Sequence, residues 1–254
     1  MLLCKVCLVL CLSYNFIKIT KGADTKIPDY IHVCKRTDPK VDECIIQSVD
    51  QLRPKLAQGI PEINAPAIEP FYLHNLTIFG GANQTQDGFL ANLYNFEISG
   101  CSNFQINSLN VNVDKLIIRC DLTFPVLNFL ADYNIDGKII FLKLQGNGKF
   151  KGNATNVQAR TIMRANIVEN GDRKQMKFNH MDVKVKVGDY SVVLENLFGG
   201  DPVLGKATND VINDAKEEML GVVIPLLEKE FSKIIIDFSN RITSRFDYDN
   251  IFPV

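Results

Sequence analysis

The side chains able to do chemistry are few and badly spaced for it. His32, His74 and His180 are the only histidines, and none sits in an H-E-x-x-H arrangement. No Cys/His set has the spacing of a zinc site. No G-x-S-x-G elbow marks a serine nucleophile. Gly146-Asn147-Gly148 with Gly152 lacks the dinucleotide and P-loop patterns and lies between strand-like runs, where a hairpin turn accounts for it. The neighbouring carboxylates Glu217-Glu218 fall on the polar side of a helical pattern, a solvated face rather than an acid–base pair. The chain therefore reads as a non-enzyme without metal or cofactor.

Met1–Leu12 (MLLCKVCLVLCL) is one lysine within an apolar run too short to span a bilayer. It reads as a secretory signal peptide over residues 1–23, cleaved between Thr20 and Asp24, which leaves 24–254 as a single ligand-binding domain with room for a large core. Loss of Lys5, Lys18 and Lys21 takes the formal charge from -1 to -4. That weak balance gives no footprint for nucleic acid or for an anionic membrane. Cys4, Cys7 and Cys11 leave with the leader, and Cys34, Cys44, Cys101 and Cys120 remain, an even set that suits an oxidising compartment. Asn75, Asn83 and Asn153 each open an N-x-S/T sequon and are N-glycosylation candidates. The expected address is extracellular, and no later segment is apolar enough for a membrane span.

Asp38-Pro39 has the form of a helix start, and Val41, Ile45, Val49, Leu52 and Leu56 follow at helical spacing. Pro54 is expected to bend or end this helix. Cys34 precedes it and Cys44 lies within it; a bridge between them would pin the N-terminal arm as a structural staple. Gln58–Pro70 is a Pro/Gly-marked connector whose Ile60, Ile63 and Ile68 can close one end of a core. From Phe71 to about Leu197 the period becomes two: Tyr94/Phe96/Ile98, Leu109/Val111/Val113 and Val183/Val185/Val187 alternate with polar residues. That is the mark of antiparallel strands with one wet and one dry face. Cys101 and Cys120 fall in neighbouring strands about a turn near Asn110-Val111, and read either as a cross-strand disulfide or as two separate buried thiols.

From about Asn209 to Arg245 the pattern is that of one very long helix. Ile212, Leu220, Val223, Leu227, Phe231, Ile234, Phe238, Ile242 and Phe246 form its stripe; Asp214, Lys216, Glu217, Glu228, Lys229, Lys233, Asp237 and Arg241 form its polar surface. Such a helix would span roughly 50 Å, and Pro225 with Gly221 one turn before it is expected to kink it without ending it. The simplest architecture is an elongated α+β fold in which a strongly curved antiparallel sheet wraps the long C-terminal helix. Sixteen phenylalanines and seven tyrosines, with no tryptophan, supply an apolar interior, part of which would line a pocket if side chains leave it unfilled.

Several segments occur in an ordered set: Ile31–Cys44 (IHVCKRTDPKVDEC), Leu52-Arg53-Pro54, Gly59–Ile63 leading to Glu69-Pro70, and Ile98–Phe104 (ISGCSNF). Tyr133–Gly137, Gly146–Asn153, Asn196–Asp201 (NLFGGD), the long helix and Phe246–Pro253 (FDYDNIFP) continue it. The set resembles the insect takeout / haemolymph juvenile-hormone-binding protein family over nearly the whole of residues 24–254, although a small or aliphatic residue is more usual at Cys101. The resemblance implies a tubular lipid-binding (TULIP-like) fold and a secreted, non-enzymatic carrier linked to circadian and chemosensory physiology. Its partner would be a lipophilic small molecule (juvenile hormone, fatty acid or isoprenoid-like) in an internal hydrophobic tunnel, with Leu220, Val223, Leu227, Phe231, Ile234 and Phe238 as lining candidates. It implies that Cys34 and Cys44 form the family's N-terminal disulfide, and offers no matching bridge for Cys101 and Cys120. The competing reading is an extracellular interaction or signalling module that transports nothing.

Overall fold

The computed structural model describes residues 26–81 and 88–254. The expected leader and the sequon at Asn83 lie outside the described residues. In chain order the elements are α1 (Val41–Gln58), β1 (Phe71–Gly80), β2 (Phe89–Ser99), β3 (Gln105–Asn112), β4 (Ile117–Ile139), β5 (Leu142–Asn170), β6 (Arg173–Lys186), β7 (Asp189–Leu194), α2 (Pro202–Asp214), α3 (Lys216–Thr243) and α4 (Tyr248–Ile251). All seven strands join one antiparallel sheet. Its spine is the pair β4 and β5, 23 and 29 residues long. β2 and β3 lie end to end along one side of β4, β7 and β6 along the far side of β5, and β1 continues beyond β2. At about 3.3 Å per residue the spine is near 75 Å long before curvature, which makes the molecule elongated.

Alternation decides which face curls inward. Leu73, Leu76, Ile78, Ala91, Phe96, Ile98, Ala131, Tyr133 and Ile135 are buried in one cluster, with mostly exposed residues between them. The sheet curves until α3 rests on both of its outer strands, β1 and β6, and closes the groove. Tyr94 departs from the predicted dry face and is exposed. The register of β2 against β4 shifts between Tyr94 and Glu97, and Asn95 takes φ 51°, so the extra residue of a bulge inverts the phase.

The predicted single C-terminal helix is two helices, parted at Ala215, where ψ is 50°. Each is fastened to a different open strand edge. On α2 the side-chain oxygen of Asn209 accepts from Leu194 N–H (2.8 Å) and its amide donates to Leu194 C=O (3.0 Å). Asn213, one turn later, does the same to Val192 at 2.9 and 2.8 Å. On α3, Asn240 pairs in this way with Phe178 of β6 at 2.8 and 2.9 Å. Glu228 accepts from Val185 N–H (2.7 Å) and from Lys184 Nζ (3.0 Å). These side chains replace the missing next strand at edges that would otherwise invite a foreign one. Because α2 follows β7 and α3 follows β6, the chain must change direction between them. Within α3 the helix runs through Pro225, and Gly221, whose carbonyl the proline ring approaches, has open space around it. Pro54 likewise lies inside α1 without ending it.

The other end is tied by one local disulfide and by links between distant parts of the chain. Cys34 and Cys44, ten residues apart, form a disulfide. Arg36 donates its N–H to Pro253 C=O (2.8 Å) and pairs with Asp249 (2.8 Å). Asp42 of α1 accepts from Val111 N–H (2.7 Å), and Arg53 donates to the carbonyls of Ser102 and Phe104 while lying 4.0 Å over the Phe104 ring. A second apolar cluster of Ala165, Met176, Phe178, Tyr248 and Phe252 seals this end. The paired substitution Cys34→Ser/Cys44→Ser is expected to cost about 2–3 kcal/mol for a loop of this length, read as a lower urea midpoint. An unchanged midpoint would show that the arm is held without the bridge.

The cross-strand option for Cys101 and Cys120 is corrected by the structure, in which both are free thiols. The β3–β4 turn is at Val113–Leu116, not Asn110-Val111, so Cys120 pairs with Leu109. Cys101 sits in a 3-10 turn after Gly100, which abuts the carbonyl of Val126. Val126 lies six residue steps along the strand from Cys120, about 20 Å at the strand rise, and a disulfide needs Cα atoms within about 7 Å.

Candidate ligand-binding interior

The six lining candidates all lie on α3, and all are half-buried. Leu220, Leu227, Phe231, Ile234 and Phe238 pack against the main buried cluster; Val223 is not part of that packing, whereas Val222 and Leu226 are. The shift has a simple cause. A helix touching both outer strands of a curved sheet presents a wider arc inward than one stripe. Opposite it, Leu93, Phe124, Leu127, Phe129, Phe150 and Val185 of the sheet are also only partly buried within the same cluster. The large side chains with least exposure, Ile60, Leu144 and Leu197, lie in the connector, on β5 and after β7, not along the helix. Two apolar walls thus meet in one cluster while both keep accessible surface.

The two seams of the helix differ. Toward β6 it is bonded through Glu228 and Asn240. Toward β1 the contacts are apolar: Phe71 and Phe238 meet edge to face at 5.8 Å, and Leu226 reaches Gly80. A Cβ at Gly80 would come within 3.0 Å of Leu226 and 2.5 Å of the Phe89 ring, so the close approach needs glycine. Among the described residues no hydrogen bond or ion pair joins β1 to α3. A cleft of about 250 Å³ opens on this seam, lined by Thr77, Phe79, Leu226, Lys229 and Glu230.

Polar groups near the interior are committed elsewhere. The Tyr133 hydroxyl donates to Glu195 C=O (2.7 Å) and that of Tyr190 to Ile212 C=O (2.6 Å). Burial, then the charge of Glu195, pushes the Tyr133 phenol up to about 12. Burial followed by Glu69 pushes the Cys101 thiol to about 12, and burial followed by Asp121 pushes Cys120 to about 11. Thiols so shifted carry almost no thiolate at neutral pH and make poor nucleophiles. His32, Cys34 and Cys44 bring donor atoms within 4.8 Å of one another, but both sulfurs are spent in the disulfide. Asn75 and Asn153 stand at exposed positions of β1 and β5.

Glu69 holds the connector against the β2–β3 turn. Its oxygens accept from Gly100 N–H (2.8 and 3.0 Å), Ser102 N–H (3.0 Å) and the Ser102 hydroxyl (2.9 Å). Gly100 has φ 93°, and a Cβ there would stand 2.2 Å from Val126 O. Burial alone would raise the Glu69 carboxyl; the donors of Ser102 and Gly100 outweigh it and hold the group below its ordinary value. A depressed folded pKa stabilises in full above the unfolded value of about 4.3 and loses that contribution as pH falls through the folded one. Glu69→Gln is therefore expected to lower the thermal midpoint at neutral pH, the deficit shrinking as the pH drops below about 4.3. A deficit independent of pH would show that the charge is not involved.

Residues 6–253 match the family described as haemolymph juvenile hormone binding protein. A Schistocerca gregaria protein whose assigned name proposes beta-carotene binding is 23% identical over 230 residues, covering 88% of each chain. The circadian clock-controlled protein daywake of Drosophila yakuba is 24% identical over 260 residues, covering 97% of this chain and 96% of its own. The crystal structure of Epiphyas postvittana Takeout 1 superposes with a TM-score of 0.71 at 17% identity, over 87% of this chain and 99% of that one. The last of these supports the fold.

Proposed function

Because this chain belongs to the haemolymph juvenile hormone binding protein family, we propose that it is a secreted, non-catalytic carrier of one lipophilic small molecule, held between α3 and the sheet. The supporting observation is the pair of facing apolar walls, on helix and sheet, that share one cluster yet stay partly accessible. A ligand entering there exchanges water for hydrocarbon contact, worth about 2.5 kcal/mol for each 100 Å² of apolar surface removed. With the Tyr133 and Tyr190 hydroxyls bound to backbone carbonyls, the walls ask little polarity of the ligand. That favours a juvenile-hormone-like ester, a fatty acyl chain or an isoprenoid, and the likeness to a protein named for beta-carotene extends the range to long polyenes.

Entry is assigned to the β1 seam. There the helix is held by apolar contact alone, so parting it leaves no unpaired polar group, whereas parting the β6 seam would orphan the partners of Glu228 and Asn240. The leader at residues 1–23 would deliver residues 24–254 to an oxidising compartment, where the Cys34–Cys44 bridge persists. The test is displacement of an apolar fluorescent probe by a juvenile-hormone ester, a fatty acid and a carotenoid. The expected result is saturable uptake of one probe per chain and displacement by at least one class. Absence of saturable uptake would favour a module that transports nothing.

A further inference from the structure

The turn between β4 and β5 breaks the rule that the β5–β6 hairpin keeps. Ile139 pairs with Leu142, so Ile140 and Phe141 form a two-residue hairpin loop. Such loops favour Gly, Asn or Asp because a central residue takes positive φ. Here that residue is Ile140, at φ 57°, a β-branched side chain in a region such residues rarely adopt. The β5–β6 hairpin instead turns on Gly171-Asp172, with Gly171 at φ 62°. Both side chains of the β4–β5 loop stand in water, Phe141 64% and Ile140 42% exposed. Just behind them Lys138 and Lys143 are paired across the strands and exposed. Like charges in that position repel, and among the described residues neither lysine has an ion-pair partner. Val203 and Leu204, also exposed, stand at the same end, since the next residue, Gly205, lies beside Leu197, which bridges to Gly146 of β5.

We propose that Ile140 and Phe141 are a docking tip that enters the interface of an anionic phospholipid bilayer, with Lys138 and Lys143 resting on its headgroups. The apolar pair is unfavourable in water and matched to the acyl boundary. Anionic headgroups between the lysines convert their repulsion into attraction, about fivefold in affinity for each. The weak net charge of the chain supplies no long-range pull, so docking belongs to the tip and is reversible with so few anchoring side chains. The inference deepens the carrier reading by naming where a lipophile would be collected or delivered, and it rests on that reading only for its use.

The experiment is cosedimentation of the full mature protein with vesicles of phosphatidylcholine, with and without phosphatidylserine. Ile140→Gly/Phe141→Asn fits a loop whose first residue has positive φ, so folding is retained, and uptake of the apolar probe should be unchanged. Binding to phosphatidylserine vesicles is expected to fall about tenfold or more in that variant. In Lys138→Gln/Lys143→Gln it should fall about thirtyfold. The proposal is overturned if the wild type ignores phosphatidylserine vesicles, if Ile140→Gly/Phe141→Asn binds them equally, or if sedimentation velocity shows the tip joining two copies instead. Loss of probe uptake with vesicle binding intact would count against the carrier reading alone.

Discussion

Ile234→Trp is expected to weaken ligand uptake at least tenfold while leaving the fold nearly as stable as the wild type. Ile234 is half-buried on the inward side of α3 and packs against the main cluster. In a filled core the larger ring would force neighbours off their rotamers, at a cost of about 1–3 kcal/mol. In an interior with free space the ring occupies that space, gains contact, and competes with the ligand. The expected result is at least a tenfold loss of affinity, about 1.4 kcal/mol or more, with a urea midpoint shifted by less than the overpacking cost. The chain has no native tryptophan, so the new indole is also a sole reporter whose emission shows whether its surroundings are dry. A destabilised protein that binds as before would mean that this stretch of the helix is packed core.

The paired change Asn209→Ala/Asn213→Ala is expected to have the largest effect on stability. It removes the four hydrogen bonds by which α2 completes the edge of β7 and strands two N–H and two C=O groups of Val192 and Leu194. At about 1 kcal/mol for each bond lost, more where water cannot replace it, the cost is about 4 kcal/mol. In a chain of this size that lowers the thermal midpoint by about 10 °C, and the bared edge should raise the tendency to aggregate on heating. Scanning calorimetry of the single and double variants measures it. A shift of about 1 °C or less in the double variant would mean that the carboxamides are incidental.

The contrast between these two positions shows what a sequence discloses. Ile234 is legible because burial against a curved sheet imposes a period on apolar residues, and period survives in the chain as text. The same holds for Phe96 and Ile98, and for the strands on which they lie. Asn209, Asn213 and Asn240 leave no such trace, since an asparagine bonded to a strand edge and one bonded to water look alike. Their only signal was spacing: Asn209 and Asn213 are one turn apart on the helix face that carries Ile212. Charge alone places Glu228 on the solvated face, yet it is 9% exposed because its partners Lys184 and Val185 come from a strand more than forty residues away. Tyr94 and the break at Ala215 were hidden for a related reason. A bulge and a change of helix direction are set by which partners the flanking segments find, and those partners are distant in the chain. Glu69 belongs to this group too, its donors at Gly100 and Ser102 being supplied by a turn on the far side of two strands.

Whether the space between α3 and the sheet carries a lipophile can be read from native mass spectrometry of the protein secreted from insect cells, with organic extraction of whatever remains bound. The expected result is a one-to-one adduct that is lost on extraction, yields an apolar compound, and is absent from Ile234→Trp prepared in the same way. A bare protein mass, in a preparation that also takes up no juvenile-hormone ester, fatty acid or carotenoid when these are supplied, would contradict it.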